Sequence, residues 1–131
     1  MCMMLYIAAN ETLPLIAWNK RQPAFNVSNI GRFSRHVRTQ FSKPHVYFVG
    51  AHTGCSCGFL DSQIESDAKA SICKLSEYLS NALETTETLE LFSCWCGDEN
   101  TEPETRQTLT PQDIMSDDFV LDELQFITVK K

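Results

Sequence analysis

His45-Val46-Tyr47-Phe48-Val49-Gly50 is followed by Ala51-His52-Thr53-Gly54-Cys55-Ser56-Cys57-Gly58-Phe59 and then by a stretch, 62–83, in which Ile64, Ala68, Ile72, Leu75, Leu79 and Leu83 recur every three or four residues. The first segment is a nearly continuous apolar run, the pattern of a strand covered on both faces. The last is a helix with one apolar stripe. Ser62 with Glu65 three positions on reads as a capping box, and Asp61 places negative charge at the helix's positive end. A glycine-rich turn with two cysteines and one histidine joins them. After the helix, Thr88 to Trp95 reads as another strand, running into a second Cys-x-Cys, Cys94-Trp95-Cys96, with Gly97 behind it. Strand, helix, strand is a βαβ unit when both strands lie parallel in one sheet, and its crossover is then right-handed. Both cysteine pairs would emerge at the carboxyl ends of those strands, where open α/β sheets place their ligands.

Working outward, Met3 to Ala9 is a second central strand by its apolar run, Leu13 to Trp18 a third strand in hairpin with it, turning at Asn10-Glu11-Thr12, and Val120 to Val129 a last strand. The alternation Leu124-Gln125-Phe126-Ile127-Thr128-Val129 and the two closing lysines suit an edge. Ile30, Phe33, Val37 and Phe41 make a helical stripe over 29–41. Pro111 in first position and Asp113 in the first turn start a short helix at Thr110, ending about Ser116, with Met115 and Phe119 toward the sheet. Residues 97–107, polar and acidic, read as a surface loop. The expected fold is α/β or α+β, a single domain over 1–131 with a mixed sheet of four to five strands, one long helix (62–83) in a βαβ unit and one or two shorter helices.

At 131 residues, with 43% hydrophobic and 21% charged residues, the chain has the composition of one globular domain. Disordered and collagen-like classes are excluded, and no apolar run approaches the ~18–20 residues of a membrane-spanning helix. The opening apolar stretch lacks a basic leader and a cleavage site, so the expectation is a cytoplasmic protein whose six cysteines stay reduced. Charge is unevenly placed. Residues 1–45 carry six basic residues and one acid, residues 46–131 five basic and sixteen acidic, for a net charge of −6. That balance disfavours nucleic acid as a partner. The basic stretch 20–43, above all Arg32, Arg35 and Arg38, either neutralises the acidic part of the same fold or meets an acidic protein partner. Oligomeric state is not encoded in any of these patterns.

Three functional readings follow. In the leading one, Cys55, Cys57, Cys94 and Cys96, with His52 able to replace one of them, hold a thiophilic metal, zinc, in a small binding protein. Cys-x-Cys in an extended strand sets its side chains on one face ~6–7 Å apart, so chelation needs a turn at each pair; Gly54 and Gly58 permit one at the first, Gly97 only after the second. In the second reading, Cys55 or Cys57 is the reactive thiol of a redox or nucleophilic enzyme, activated by the helix dipole and His52 and resolved by the neighbouring cysteine. The third is an interaction module built on 20–43. Reduced, buried thiols that do nothing are the bland counterpart of the first two. The same applies to Cys73 on the helix and to Cys2, which removal of Met1 would make an N-terminal nucleophile with its own amine as base. Asp98, Glu99, Glu102 and Glu104 lack a calcium-loop pattern and read as solvated, His36 and His45 lie away from the thiols, and Trp18 and Trp95 read as packing residues.

Overall fold

The computed structural model describes residues 2–131, apart from the side chain of Phe33. The fold is α+β around one mixed sheet. Its strands are β1 (Met3–Ala9), β2 (Asn26–Asn29), β3 (His45–Gly50), β4 (Thr88–Trp95), β5 (Thr105–Leu109) and β6 (Gln125–Lys130); its α-helices are α1 (Ser66–Ala82) and α2 (Pro111–Met115). Two 3-10 helices, Arg32–Gln40 and Ser56–Phe59, complete it. The sheet order is β2-β3-β1-β4-β6-β5, every neighbouring pair antiparallel except β5 with β6. β3 and β4 are each antiparallel to β1, which lies between them, so they point the same way and finish at the end of the sheet where β1 begins.

The two faces of β1 divide the core. Met3, Leu5, Ile7 and Ala9 join Ile72, Leu75, Leu79 and Leu83 of the α1 region, Phe59 and Ile114 in the larger cluster. Tyr6 and Ala8 join Val37, Val46, Phe92, Cys94, Leu124 and Phe126 on the opposite face, with Ile30 and Phe41 of the flanking segment packed against them. A central strand buried on both faces accounts for the unbroken apolar run in β1.

Several expectations need correction. The sheet has six strands rather than four to five, because two short polar segments pair at its edges. Asn26-Val27-Ser28-Asn29 is poor in strand formers and is held by its ladder to β3. Thr105–Leu109, whose first three residues fall in the expected 97–107 loop, runs parallel to β6 with nearly every side chain exposed. The 13–18 segment makes no hairpin with β1: Ile16 exchanges two backbone hydrogen bonds of 2.9 Å with Val27, an isolated bridge, and Leu15, Ile16 and Trp18 stay exposed. Tyr78 Oη and Tyr47 Oη tie it down instead, through the Pro14 carbonyl and the Leu13 amide.

The long helix begins four residues later than its stripe suggests. Asp61 has φ 60°, and its carbonyl accepts from Glu65 in a single turn that does not continue, since Glu65 is extended. Ser62 caps nothing, and Ile64 is 82% exposed, so the buried stripe starts at Ala68. Of the 29–41 stripe, Arg32–Gln40 forms a 3-10 helix, while Asn29 ends β2 and Phe41 is extended; the side chain of Phe33 lies outside the described residues. The last strand starts at Gln125 because Leu124, at φ 50°, turns the chain and offers its carbonyl to Glu104 and Thr105. The short helix has the expected capping box, Thr110 with Asp113, and Phe119 is buried, but Met115 is exposed.

Candidate functional site

The ladder between β1 and β3 ends at the pair Leu5↔Val49, where the Leu5 amide and the Val49 carbonyl are bridged by a side chain instead of bonding each other, and the Met3 amide lies beyond the end of β3. The chain turns through 51–55 and returns as the 3-10 helix to meet them. Ser56 Oγ accepts from Leu5 N–H at 2.8 Å and donates to the Val49 carbonyl at 2.6 Å, and Cys57 Sγ accepts from Met3 N–H at 3.2 Å. Ser56 is fully buried, while the cysteines on either side of it are partly open to solvent. One residue therefore ties the first cysteine pair to two strands.

The turn is closed from within and pinned from outside. Ala51 N–H donates to the Cys55 carbonyl and Gly54 N–H to the Ala51 carbonyl, at 3.0 and 2.9 Å. Gly54 has φ +87°, which glycine alone adopts readily. Trp18 lays its ring against Gly54 and donates from Nε1 to the His52 carbonyl at 3.0 Å. His52 is fastened to α1 by its amide and by Nδ1, both about 3 Å from Ser71 Oγ. Gly58 is wedged so tightly against Ala51, Thr53 and His52 that a β-carbon there would come within 2.7 Å of the first two. His52 thus shapes the loop from the α1 side.

Two identical motifs take different backbones. In Cys55-Ser56-Cys57 the first cysteine is extended, at φ −109° and ψ 170°, and the helix starts at the intervening serine. A helical residue between them draws the two Cα atoms closer than the ~6–7 Å of an extended tripeptide, toward the ~5.5–6 Å preferred for a disulfide. In Cys94-Trp95-Cys96 the intervening residue belongs to β4. Cys94 is buried with Phe92 and Tyr6, whereas Trp95 packs on the α1 face together with Cys57. The strand's alternation therefore carries Cys94 to the face of the sheet opposite Cys57. Cys96, where the chain leaves β4, is exposed and donates its N–H to the Cys2 carbonyl at 2.8 Å.

The thiols are electrostatically unlike. Burial raises the Cys55 thiol, but hydrogen bonds from the Thr53 side chain and from the amide and thiol of Cys57 outweigh it, so Cys55 ionises below its ordinary value. Thr53 Oγ1 lies 3.4 Å from Cys55 Sγ. Cys57 moves the other way, through burial and then through Cys55 and Cys2, despite the favourable Met3 amide. Cys94 is pushed up to about 12, by burial first and then by Glu99 and Asp98. The α1 dipole is not the source of the Cys55 shift, because α1 starts only at Ser66.

The two cysteine segments thus arrive at one end of the sheet, with Cys55, Cys57 and Cys96 around the start of β1 and Cys94 on the far face. Among the described residues no group of three or more His, Cys, Asp or Glu side chains is arranged to hold a metal ion. Ser56, Thr53 and Cys2 are the participants that spacing alone did not reveal; the serine inside the Cys-x-Cys was the available signal for the first. Among the described residues no helix is long and apolar enough to cross a membrane. No protein-family model, no curated protein and no solved structure matches this chain.

Proposed function

We propose that the protein is a thiol–disulfide exchange centre in which Cys55 attacks and Cys57 resolves. The observation that carries this is the helical Ser56 between two partly exposed cysteines, locked to β1 and β3, with Cys55 beside the Thr53 hydroxyl. The Cys55 thiolate attacks one sulfur of a disulfide R–S–S–R′, forms a mixed disulfide and expels R′S⁻. Cys57, deprotonated as its proton passes to solvent or to the leaving thiolate, then attacks Cys55 Sγ and expels RS⁻. One substrate disulfide is reduced to two thiols, and the protein dithiol is oxidised to Cys55–Cys57. A zinc centre spanning Cys55, Cys57, Cys94, Cys96 and His52 is less well supported, because Cys94 packs on the opposite face and His52 is engaged by Ser71.

Titration of the reduced protein with an aromatic disulfide that releases a chromophoric thiol tests the proposal. Wild type releases two chromophores in a fast phase, and Cys57→Ser releases one and keeps the mixed disulfide on Cys55. Cys55→Ser loses the fast phase. A Cys55 that reacts no faster than a cysteine in a short peptide at the same pH removes the proposal.

A second reading, an acidic protein partner for the 20–43 stretch, is favoured by one observation. Among the described residues the ion pairs are Lys69–Asp117 and Lys74–Glu77, and neither involves that stretch. Arg32, Arg35 and Arg38 are exposed along the 3-10 helix, so the internal neutralisation that composition allows is not made through close ion pairs. Capture of a polyglutamate peptide at low salt tests it. The Arg32→Ala, Arg35→Ala, Arg38→Ala triple variant loses that capture, as does wild type at higher salt. Equal capture by the triple variant rules the reading out.

A further inference from the structure

At the open end of the sheet, three chain segments lie side by side and each carries a cysteine. β1 starts in the middle, and Cys2 immediately precedes its first residue. On one side Cys57 Sγ accepts the Met3 amide, the peptide group that directly follows Cys2. On the other, β4 pairs with β1 in the register Met4↔Cys94 and Met3↔Trp95, and one further step sets Cys2 opposite Cys96. The Cys96 N–H to Cys2 carbonyl bond of 2.8 Å shows that the pairing does extend that step. Directly opposed, hydrogen-bonded residues of antiparallel strands have Cα atoms about 5.5 Å apart, within the range of about 4.4–6.8 Å that a disulfide spans. Cys2 and Cys96 are both exposed. Cys57 Sγ lies 3.2 Å from the Met3 nitrogen, the atom bonded to the Cys2 carbonyl carbon, so Cys2 adjoins Cys57 on one side and Cys96 on the other.

We propose that Cys2 and Cys96 form a second thiol pair, which takes the disulfide over from Cys55 and Cys57 by way of a Cys2–Cys57 intermediate. This rests on the exchange reading above and adds a second stage to it. The Cys2 thiolate attacks Cys57 Sγ of the Cys55–Cys57 disulfide, breaking that bond and releasing the Cys55 thiolate. The Cys96 thiolate then attacks Cys2 Sγ and releases the Cys57 thiolate. Cys2 and Cys96 are oxidised, Cys55 and Cys57 are reduced, and the two protons lost by Cys2 and Cys96 pass through solvent to Cys55 and Cys57. No outside oxidant enters this stage. Cys55 is ready for another substrate disulfide, and the oxidised pair lies at the exposed rim, accessible to a reducing dithiol. Cys94, two register positions further in and buried, takes no part.

The test uses the whole reduced chain and one equivalent of oxidised glutathione, with acid quenching, alkylation and disulfide mapping by peptide mass spectrometry over time. Wild type shows Cys55–Cys57 first, then its decay as Cys2–Cys96 grows, with one disulfide per chain throughout. Cys2→Ser stops at Cys55–Cys57, and Cys96→Ser goes no further than the Cys2–Cys57 intermediate in exchange with it. Cys57→Ser forms Cys2–Cys96 at least tenfold more slowly. Formation of Cys2–Cys96 as fast in Cys57→Ser as in wild type overturns the relay, and so does a Cys55–Cys57 disulfide that persists in wild type. Failure of Cys2→Ser to form Cys55–Cys57 defeats the exchange reading itself, a separate outcome. Cys2 and Cys96 are exposed, so their serine variants do not disturb the core.

Discussion

Ser56 Oγ accepts the Leu5 amide at 2.8 Å across 51 residues of sequence, and the same oxygen donates to the Val49 carbonyl. It is inserted between the backbone groups of two residues that face each other in the ladder, Leu5 and Val49, and satisfies both. Both backbone groups are buried at the sheet's end, and a buried group left without a partner costs roughly 1–3 kcal/mol. Ser56→Ala is expected to lose about 2–4 kcal/mol in urea unfolding, and the same substitution at exposed Ser28 to lie within about 0.5 kcal/mol of wild type. The alanine variant also slows Cys55 labelling, because the 3-10 helix that places it is released. A Ser56→Ala protein with wild-type unfolding and labelling shows that the serine does not anchor the thiol pair.

Trp18 covers the same loop from outside. An added β-carbon at Gly54 would lie 3.2 Å from Trp18 Cε2, in a residue whose φ of +87° already disfavours any side chain. Gly54→Ala is expected to cost about 1–2 kcal/mol from the backbone strain alone, plus whatever the indole must yield. In the Gly54→Ala, Trp18→Ala double variant the second part vanishes and the first remains, so the two losses sum to more than the double variant's. Strict additivity in denaturant unfolding places the ring away from Gly54.

The readable parts of the sequence are those governed by local rules or by burial on both faces. The apolar run at 45–50 coincides with β3, and Thr110, Pro111 and Asp113 form the capping box they spell out. Polar segments were harder, because β2 and β5 exist through ladders to partners distant in sequence, which composition does not record. Ile64 continued the helical stripe by spacing, yet Asp61 and Glu65 break the helix before it becomes core. At the site, convergence of the two Cys-x-Cys segments on one sheet end was legible from strand order. The division of labour among the cysteines was not, since it depends on which face β4 gives Cys94 and on the one-residue step in register that sets Cys2 beside Cys96.

Alkaline pH separates the thiols. Cys94 moves from 9.0 to about 12 through burial, then through Glu99 and Asp98, so the folded chain holds its proton where the unfolded chain has released it. A raised folded value gives stability that is whole below the unfolded value and declines as pH rises toward the folded one. Cys57 acts in the same direction and Cys55 in the opposite one. The Cys94 contribution alone amounts to a loss of about 1 kcal/mol between pH 9 and pH 10. Tyr6 and Tyr78, also raised by burial, begin to add to the decline as pH approaches their ordinary value of 10.0. Urea midpoints across pH 8–10 check this in wild type and in Cys94→Ala, whose profile is flatter although its starting stability is lower. Parallel profiles would mean that Cys94 does not carry the loss.

On the face of the sheet opposite Cys57, the Tyr6 hydroxyl holds the 3-10 helix Arg32–Gln40 and the loop after β4 together. Its oxygen is 3.0 Å from Glu99 Oε2 and 2.9 Å from Ser34 Oγ. A hydroxyl has one proton, so it donates to the carboxylate and accepts from the serine. Glu99 is only 6% exposed, and its other oxygen accepts the Gly97 amide at 2.9 Å. Gln40 Nε2 adds bonds to the Glu99 and Thr101 carbonyls from the helix side. Tyr6→Phe keeps the ring but takes the donor from a nearly buried carboxylate, a loss of about 1.5–3 kcal/mol for a hydrogen bond to a charged group. Glu99→Gln, which keeps an acceptor oxygen, is expected to cost less than Tyr6→Phe. The loss in Tyr6→Phe persists at high salt because the pair is shielded from solvent. If Tyr6→Phe unfolds at the wild-type urea concentration, or if its loss disappears at high salt, the contact is a surface one and the two segments are held by the Gln40 bonds and apolar packing instead.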